Sequence, residues 1–187
     1  MYTRFRIMKR NRILLVLLLG LLARAQQDPA QADLPAPAVD HVGYPKNYRE
    51  EFIQIRISDR PDTKTTAVIY GNLPGASVKP AAKGTYPYGA ILVNETWSTL
   101  QDPQGNVLLD KKGRFRVDKL LRIHVMRKDH DFGEAYKENQ SGEWEYVSFA
   151  PDGSYLTPPA KSAPCAQCHK LYAGKAKDWV FGAYEKH

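Results

Sequence analysis

From about Gly43 onward, apolar and polar residues alternate with the period of two that a half-buried strand requires. Phe52-Ile53-Gln54-Ile55-Arg56-Ile57 alternates after its first residue, and Thr65–Tyr70 (TTAVIY) is β-branched and apolar. Ala90–Trp97 (AILVNETW) is a third strand, with Ile91, Val93, Glu95 and Trp97 on one face and Ala90, Leu92, Asn94 and Thr96 on the other. Arg114–Met126 places Phe115, Val117, Leu121, Ile123 and Val125 mostly at even spacing. Glu143–Phe149 (EWEYVSF) is a further strand, closed by Pro151-Asp152-Gly153. Asp102-Pro103-Gln104-Gly105-Asn106 and Lys111-Lys112-Gly113 are turns by composition. Helical candidates are few: Tyr44–Phe52, Phe132–Lys137 and the region after Cys168. The pattern predicts an α+β, β-rich fold, an antiparallel sheet with a few helices. The 13 Pro and 13 Gly weigh against a helical bundle.

Upstream the pattern changes. Residues 1–12 are basic, Ile13–Leu22 is an apolar run interrupted only by Gly20, and Ala23-Arg24-Ala25 is a small-x-small site. Together these describe a cleaved secretory signal over residues 1–25. The run is too short for a hydrocarbon core that needs about 20 residues. Residues 26–42, rich in Pro, Ala and Gln, read as a flexible linker to a domain over 43–187. The expected mature protein is exported, periplasmic or secreted, with no membrane span after cleavage.

Charge adds little once it is located. The chain has 187 residues, enough for one domain and an appendage, and a formal net charge of +7. Residues 1–25 contain Arg4, Arg6, Lys9, Arg10, Arg12 and Arg24 and no acid. Removing these six from 27 basic residues leaves 21 against 20 acidic ones. The basicity belongs to the leader, so nucleic acid is not an expected partner.

The chemistry is concentrated in Cys165-Ala166-Gln167-Cys168-His169, the attachment pattern of a c-type haem. Two thiols three positions apart on a helical turn can each add to one haem vinyl group. The adjacent imidazole, His169, is then the axial ligand of the iron. A redox dithiol normally follows a strand in a βαβ pattern, which is missing, and a zinc site has no second ligand pair. One covalently bound haem c is therefore the expected cofactor. Small electron carriers supply a Met downstream of such a motif. Here 18 residues follow His169, none of them Met, and Met126 lies on a predicted strand where packing is its expected role. His41, His124, His130 and His187 are scattered and read as surface or satisfied histidines. Tyr86, Tyr88 and Trp97 read as core, and Lys170, Lys175 and Lys177 as a solvated cationic face.

A haem motif at the C-terminal end of a β-rich domain resembles the cytochrome P-460 family, which includes the cytochromes c′-beta. The resemblance runs through Tyr44-Pro45-Lys46-Asn47-Tyr48-Arg49, Tyr86-Pro87-Tyr88-Gly89-Ala90-Ile91-Leu92-Val93, Gly142-Glu143-Trp144-Glu145-Tyr146 and Asp178-Trp179-Val180-Phe181. It implies a five-coordinate haem on a large antiparallel sheet, in a homodimer. It also implies that the position of the Lys cross-linked to the porphyrin in hydroxylamine oxidisers is Asn94. A carboxamide has no nucleophilic amine, and Lys79 and Lys83 lie before the turn. The resemblance further places Glu145 in the distal pocket as a candidate proton acceptor; the alternative is a solvated strand edge shared with Glu143.

Three functions remain open. The leading one is a cytochrome whose open distal site binds a small gaseous or nitrogen-oxide ligand such as nitric oxide, for scavenging, sensing or redox. The second is an oxidoreductase acting on hydroxylamine or a related nitrogen compound, against which Asn94 argues. The third is a six-coordinate electron-transfer cytochrome. The redox readings call for a soluble redox partner.

Overall fold

The computed structural model describes residues 34–78 and 84–182; the expected signal, the first part of the linker, Lys79 and Lys83 lie outside them. Six strands form one antiparallel sheet in the order of the chain: β1 (Ile53–Arg60), β2 (Thr65–Gly71), β3 (Ile91–Thr99), β4 (Val117–Lys128), β5 (Trp144–Phe149) and β6 (Tyr155–Thr157). Five of these lie where the alternation predicted strands. The sixth, three residues long, is too short to carry a pattern. Helices are single turns: α1 (Tyr48–Glu51), α2 (Leu73–Ala76) and α3 (Ala163–Cys168).

Each face of the sheet has its own core. On one, Val93, Ile123, Val125, Val147 and Phe149 pack with Val42 and Tyr48 of the preceding segment. On the other, Leu92, Met126, Trp144 and Tyr146 pack with Tyr86, Tyr136, Ala163 and Ala166. Coverage on both sides explains why all six residues of β5 are buried although its sequence does not read as uniformly apolar. It also confirms Met126 as a packing residue.

The N-terminal approach to the sheet differs from the expected flexible linker in residues 34–42. Leu34 and Ala36 pack against the second core, and Val42 is buried in the first. Asp40 accepts hydrogen bonds from the Val42 and Gly43 amides, both at 2.9 Å, and from the Tyr155 hydroxyl. A few apolar side chains and one Asp-capped turn order a stretch whose composition alone suggested a tether. Downstream, α1 is pinned to the sheet by Glu95. This 1% exposed carboxylate accepts from the Tyr48 hydroxyl at 2.5 Å, Arg49 Nε at 2.6 Å and Trp97 Nε1 at 2.7 Å. Desolvation and this acidic partner push the Tyr48 phenol well above its ordinary range.

Candidate functional site

The CxxCH segment lies on a helix whose sheet-facing positions are small. Pro164 suits the first turn of α3, and the buried Ala163 and Ala166 bring the helix close to β5. Ser162, just before the helix, shares a 2.8 Å hydrogen bond with the Tyr136 hydroxyl, which accepts from the Tyr146 amide at 3.2 Å. Both cysteines lie on this helix, as their spacing predicts, and the helical turns expected after Cys168 follow as a wide turn, His169–Ala173, and a tight one, Lys175–Lys177.

Cys165 is half-buried and Cys168 exposed, both as free thiols. Burial pushes the Cys165 thiol up to about 11, with Cys168 adding to the effect. A thiol so protonated at neutral pH is a poor match for a redox dithiol, whose attacking sulfur needs a depressed pKa.

His169 has its orientation and tautomer fixed. Its Nδ1 lies 2.7 Å from the Trp179 carbonyl oxygen. A carbonyl only accepts, so Nδ1 carries the proton and Nε2 presents a lone pair. Burial lowers the pKa of the imidazole, which favours the neutral form that binds metal. The ring lies 4.6 Å from that of Tyr146 and 4.8 Å from that of Phe181.

The Trp179 carbonyl is held by an unusual turn. Asp178 and Trp179 both have positive φ, +49° and +54°. Asp178 Oδ2 accepts from Lys128 Nζ at 2.7 Å and from the Tyr86 amide at 2.9 Å, with the Lys128 and Asp178 side chains only 4% and 6% exposed. The Trp179 indole lies directly over Gly142. A Cβ at Gly142 would come within 2.4 Å of the ring, and its φ of +64° disfavours any other residue. Gly142→Ala is therefore expected to cost roughly 1–3 kcal/mol of stability in thermal unfolding, by overpacking and backbone strain.

Strand register shows what His169 faces. Tyr146 shares its side of the sheet with Met126 and Leu92. The next row across, on the same side, is Ser148, His124, Asn94, Ile69 and Arg56. Asn94 thus lies on the His169 side, where its Oδ1 is buried and has no partner among the described residues. His124 joins it there. Burial first, then the charges of Arg122, Arg60 and His169, depress its pKa to about 4, so it is neutral at pH 7. The sequence reads His124 as a surface or satisfied histidine, although the alternation Ile123-His124-Val125 already turns it away from the apolar side.

Glu145 is on the other side. It is paired with Arg127 and precedes Tyr146, so strand alternation sends its carboxylate away from His169. There it is 4% exposed, and Oε2 lies 3.0 Å from His41 Nδ1. The expected placement over the haem is corrected by this register, and so is the alternative of a solvated edge for Glu145. Glu143 does lie at the surface, accepting from the Tyr88 hydroxyl at 2.6 Å. A cavity of about 180 Å³ between α1 and β4, lined by Tyr44, Tyr48, Arg49, Leu120 and Ile123, is also on that side and has no thiol or imidazole.

A model of the Cytochrome P460 family matches residues 45–182, most of the chain. The chain belongs to the cytochrome P460 family. That membership makes it a c-type haem protein, and the family binds haem c. No curated protein matches the sequence significantly. The described residues of this cytochrome P460 protein suit such a group. They provide two free thiols three positions apart, an imidazole with Nε2 available, and a facing side of the sheet with buried polar atoms left unpaired at Asn94, Arg56 and Arg60. No helix among them is long and apolar enough to cross a membrane.

Proposed function

We propose that this protein is an exported monohaem cytochrome that binds a small gaseous or nitrogen-oxide ligand, nitric oxide above all, at an open coordination position. Cys165 and Cys168 form the two thioethers and His169 is the axial ligand. The observation that carries the reading is the 2.7 Å bond from His169 Nδ1 to the Trp179 carbonyl, which leaves the Nε2 lone pair free for a metal. A ferrous haem with one protein ligand leaves a coordination position for a diatomic molecule. Met126 is packed among Trp144, Tyr146 and Tyr136, which supports an open position. Asn94 supplies a polar group on the facing side of the sheet.

Oxidation of hydroxylamine has less support. Asn94 offers no amine for a porphyrin cross-link, and the Glu145 carboxylate is on the far side of the sheet. The six-coordinate electron carrier is favoured by one observation: His124 is neutral, half-buried, and on the His169 side. Optical spectra of the ferric and ferrous holoprotein, with and without nitric oxide, separate the three. A high-spin ferrous spectrum that changes on nitric oxide addition is the expected result. A low-spin spectrum that becomes high-spin in His124→Ala would establish the electron carrier. A strongly red-shifted ferrous Soret band would establish a cross-link.

A further inference from the structure

The sheet sorts its charges by side. The carboxylates at paired strand positions, Asp59, Glu95 and Glu145, are all on the side away from His169. Each has a cationic or imidazole partner there, Arg114, Arg49 and His41 respectively. On the His169 side the paired positions contain Arg56, Arg60, Arg122, His124 and Lys128, and no carboxylate. Lys128 is satisfied by Asp178. Arg56 and Arg60 are half-buried, and among the described residues the Nε of each is buried without a hydrogen-bond partner. Burial, with Arg60 adding to it, holds the Arg56 guanidinium below the usual arginine range, and Arg60 likewise depresses His124. A buried Nε without a partner costs free energy, which an anion meeting the guanidinium offsets.

Their location identifies the anion. Arg56 closes the row Ser148, His124, Asn94, Ile69 that begins on β5, beneath α3, and Arg60 lies four residues further along β1. From β5 to β1 is four strand spacings, about 19 Å. In haem c the two vinyl carbons that take the thioethers are on one edge of the macrocycle and the two propionates on the opposite edge. A haem held by Cys165 and Cys168 over β5 would, if it lay across this row, have its propionates toward β1. We propose that Arg56 and Arg60 form the propionate clamp of this cytochrome, a pair of guanidinium forks for two carboxylates. The clamp rests on haem attachment at Cys165 and Cys168, and the test separates the two ideas.

Arg56→Gln, Arg60→Gln, and Arg116→Gln as an exposed cation of the β3–β4 connection, are prepared as holoprotein. Covalent haem is first verified by haem staining of a denaturing gel. If the parent protein does not stain, the attachment fails and the clamp with it. If it stains, redox titration and the propionate bending band in resonance Raman decide. Loss of either Arg56 or Arg60 is expected to move that band and to shift the one-electron equilibrium toward the ferric state about tenfold, 59 mV, because a cation near the haem favours the less positive ferrous form. Arg116→Gln is expected to leave both unchanged. Arg56→Lys and Arg60→Lys are expected to restore the potential while the band stays displaced, since Lys keeps the charge and loses the fork. If the Gln variants fail to retain haem, the Lys pair carries the same comparison. Band and potential that match those of Arg116→Gln, in stained holoprotein, overturn the clamp.

Discussion

Lys128→Met is expected to destabilise the protein by about 3–5 kcal/mol, the penalty for breaking a buried ion pair from one side. For a chain of this size that lowers Tm by roughly 6–20 °C in a thermal scan. The cause is Asp178. Its carboxylate, 6% exposed, keeps only the Tyr86 amide at 2.9 Å once the ammonium at 2.7 Å is gone. The loss reaches the site, because Asp178 anchors the positive-φ turn that presents the Trp179 carbonyl to His169. Lys128→Met with Asp178→Asn is expected to recover part of the stability, since no buried charge is then left unpaired. It is not expected to restore a rigid proximal imidazole, which the iron–histidine stretching band would report. If Lys128→Met melts within 2 °C of the parent, roughly 1 kcal/mol at this chain length, the pair is not the anchor described here.

Cys165→Ser with Cys168→Ser is expected to abolish haem staining on a denaturing gel, an all-or-none change, while each single variant retains stain through the remaining thioether. The reason is chemical: a hydroxyl does not add to a vinyl group under the conditions in which a thiol does. The fold is expected to survive, because Cys168 is exposed and Cys165 packs only at the margin of the core, while the fully buried positions of α3 are Ala163 and Ala166. Far-ultraviolet circular dichroism of the double variant checks that point. Stain that persists in the double variant would locate attachment elsewhere in the chain.

These two experiments probe different sources of information. The haem motif was legible in the sequence because its logic is local: a helical turn needs only the spacing of Cys165, Cys168 and His169 to place three groups together. The strands were legible for a similar reason, since alternation with period two is written into each segment separately. The same alternation sent Glu145 and Tyr146 to opposite sides. It could not say which side would receive α3, and a resemblance filled that gap with the wrong choice for Glu145.

Legible in the sequence alone were a β-rich antiparallel fold and the spacing of Cys165, Cys168 and His169; the reading of Asn94 at a lysine position came from the resemblance. Tertiary structure decided the rest. Lys128 meets Asp178 across 50 residues and His41 meets Glu145 across 104, and no local pattern marks such partners. Sheet pairing brought Arg56, Asn94 and His124 into one row, and the packing of two small alanines in the core beside β5 put the cysteine helix on that row's side. Local spacing fixes which groups an element can offer. Only the burial of one face against another decides which of them meet.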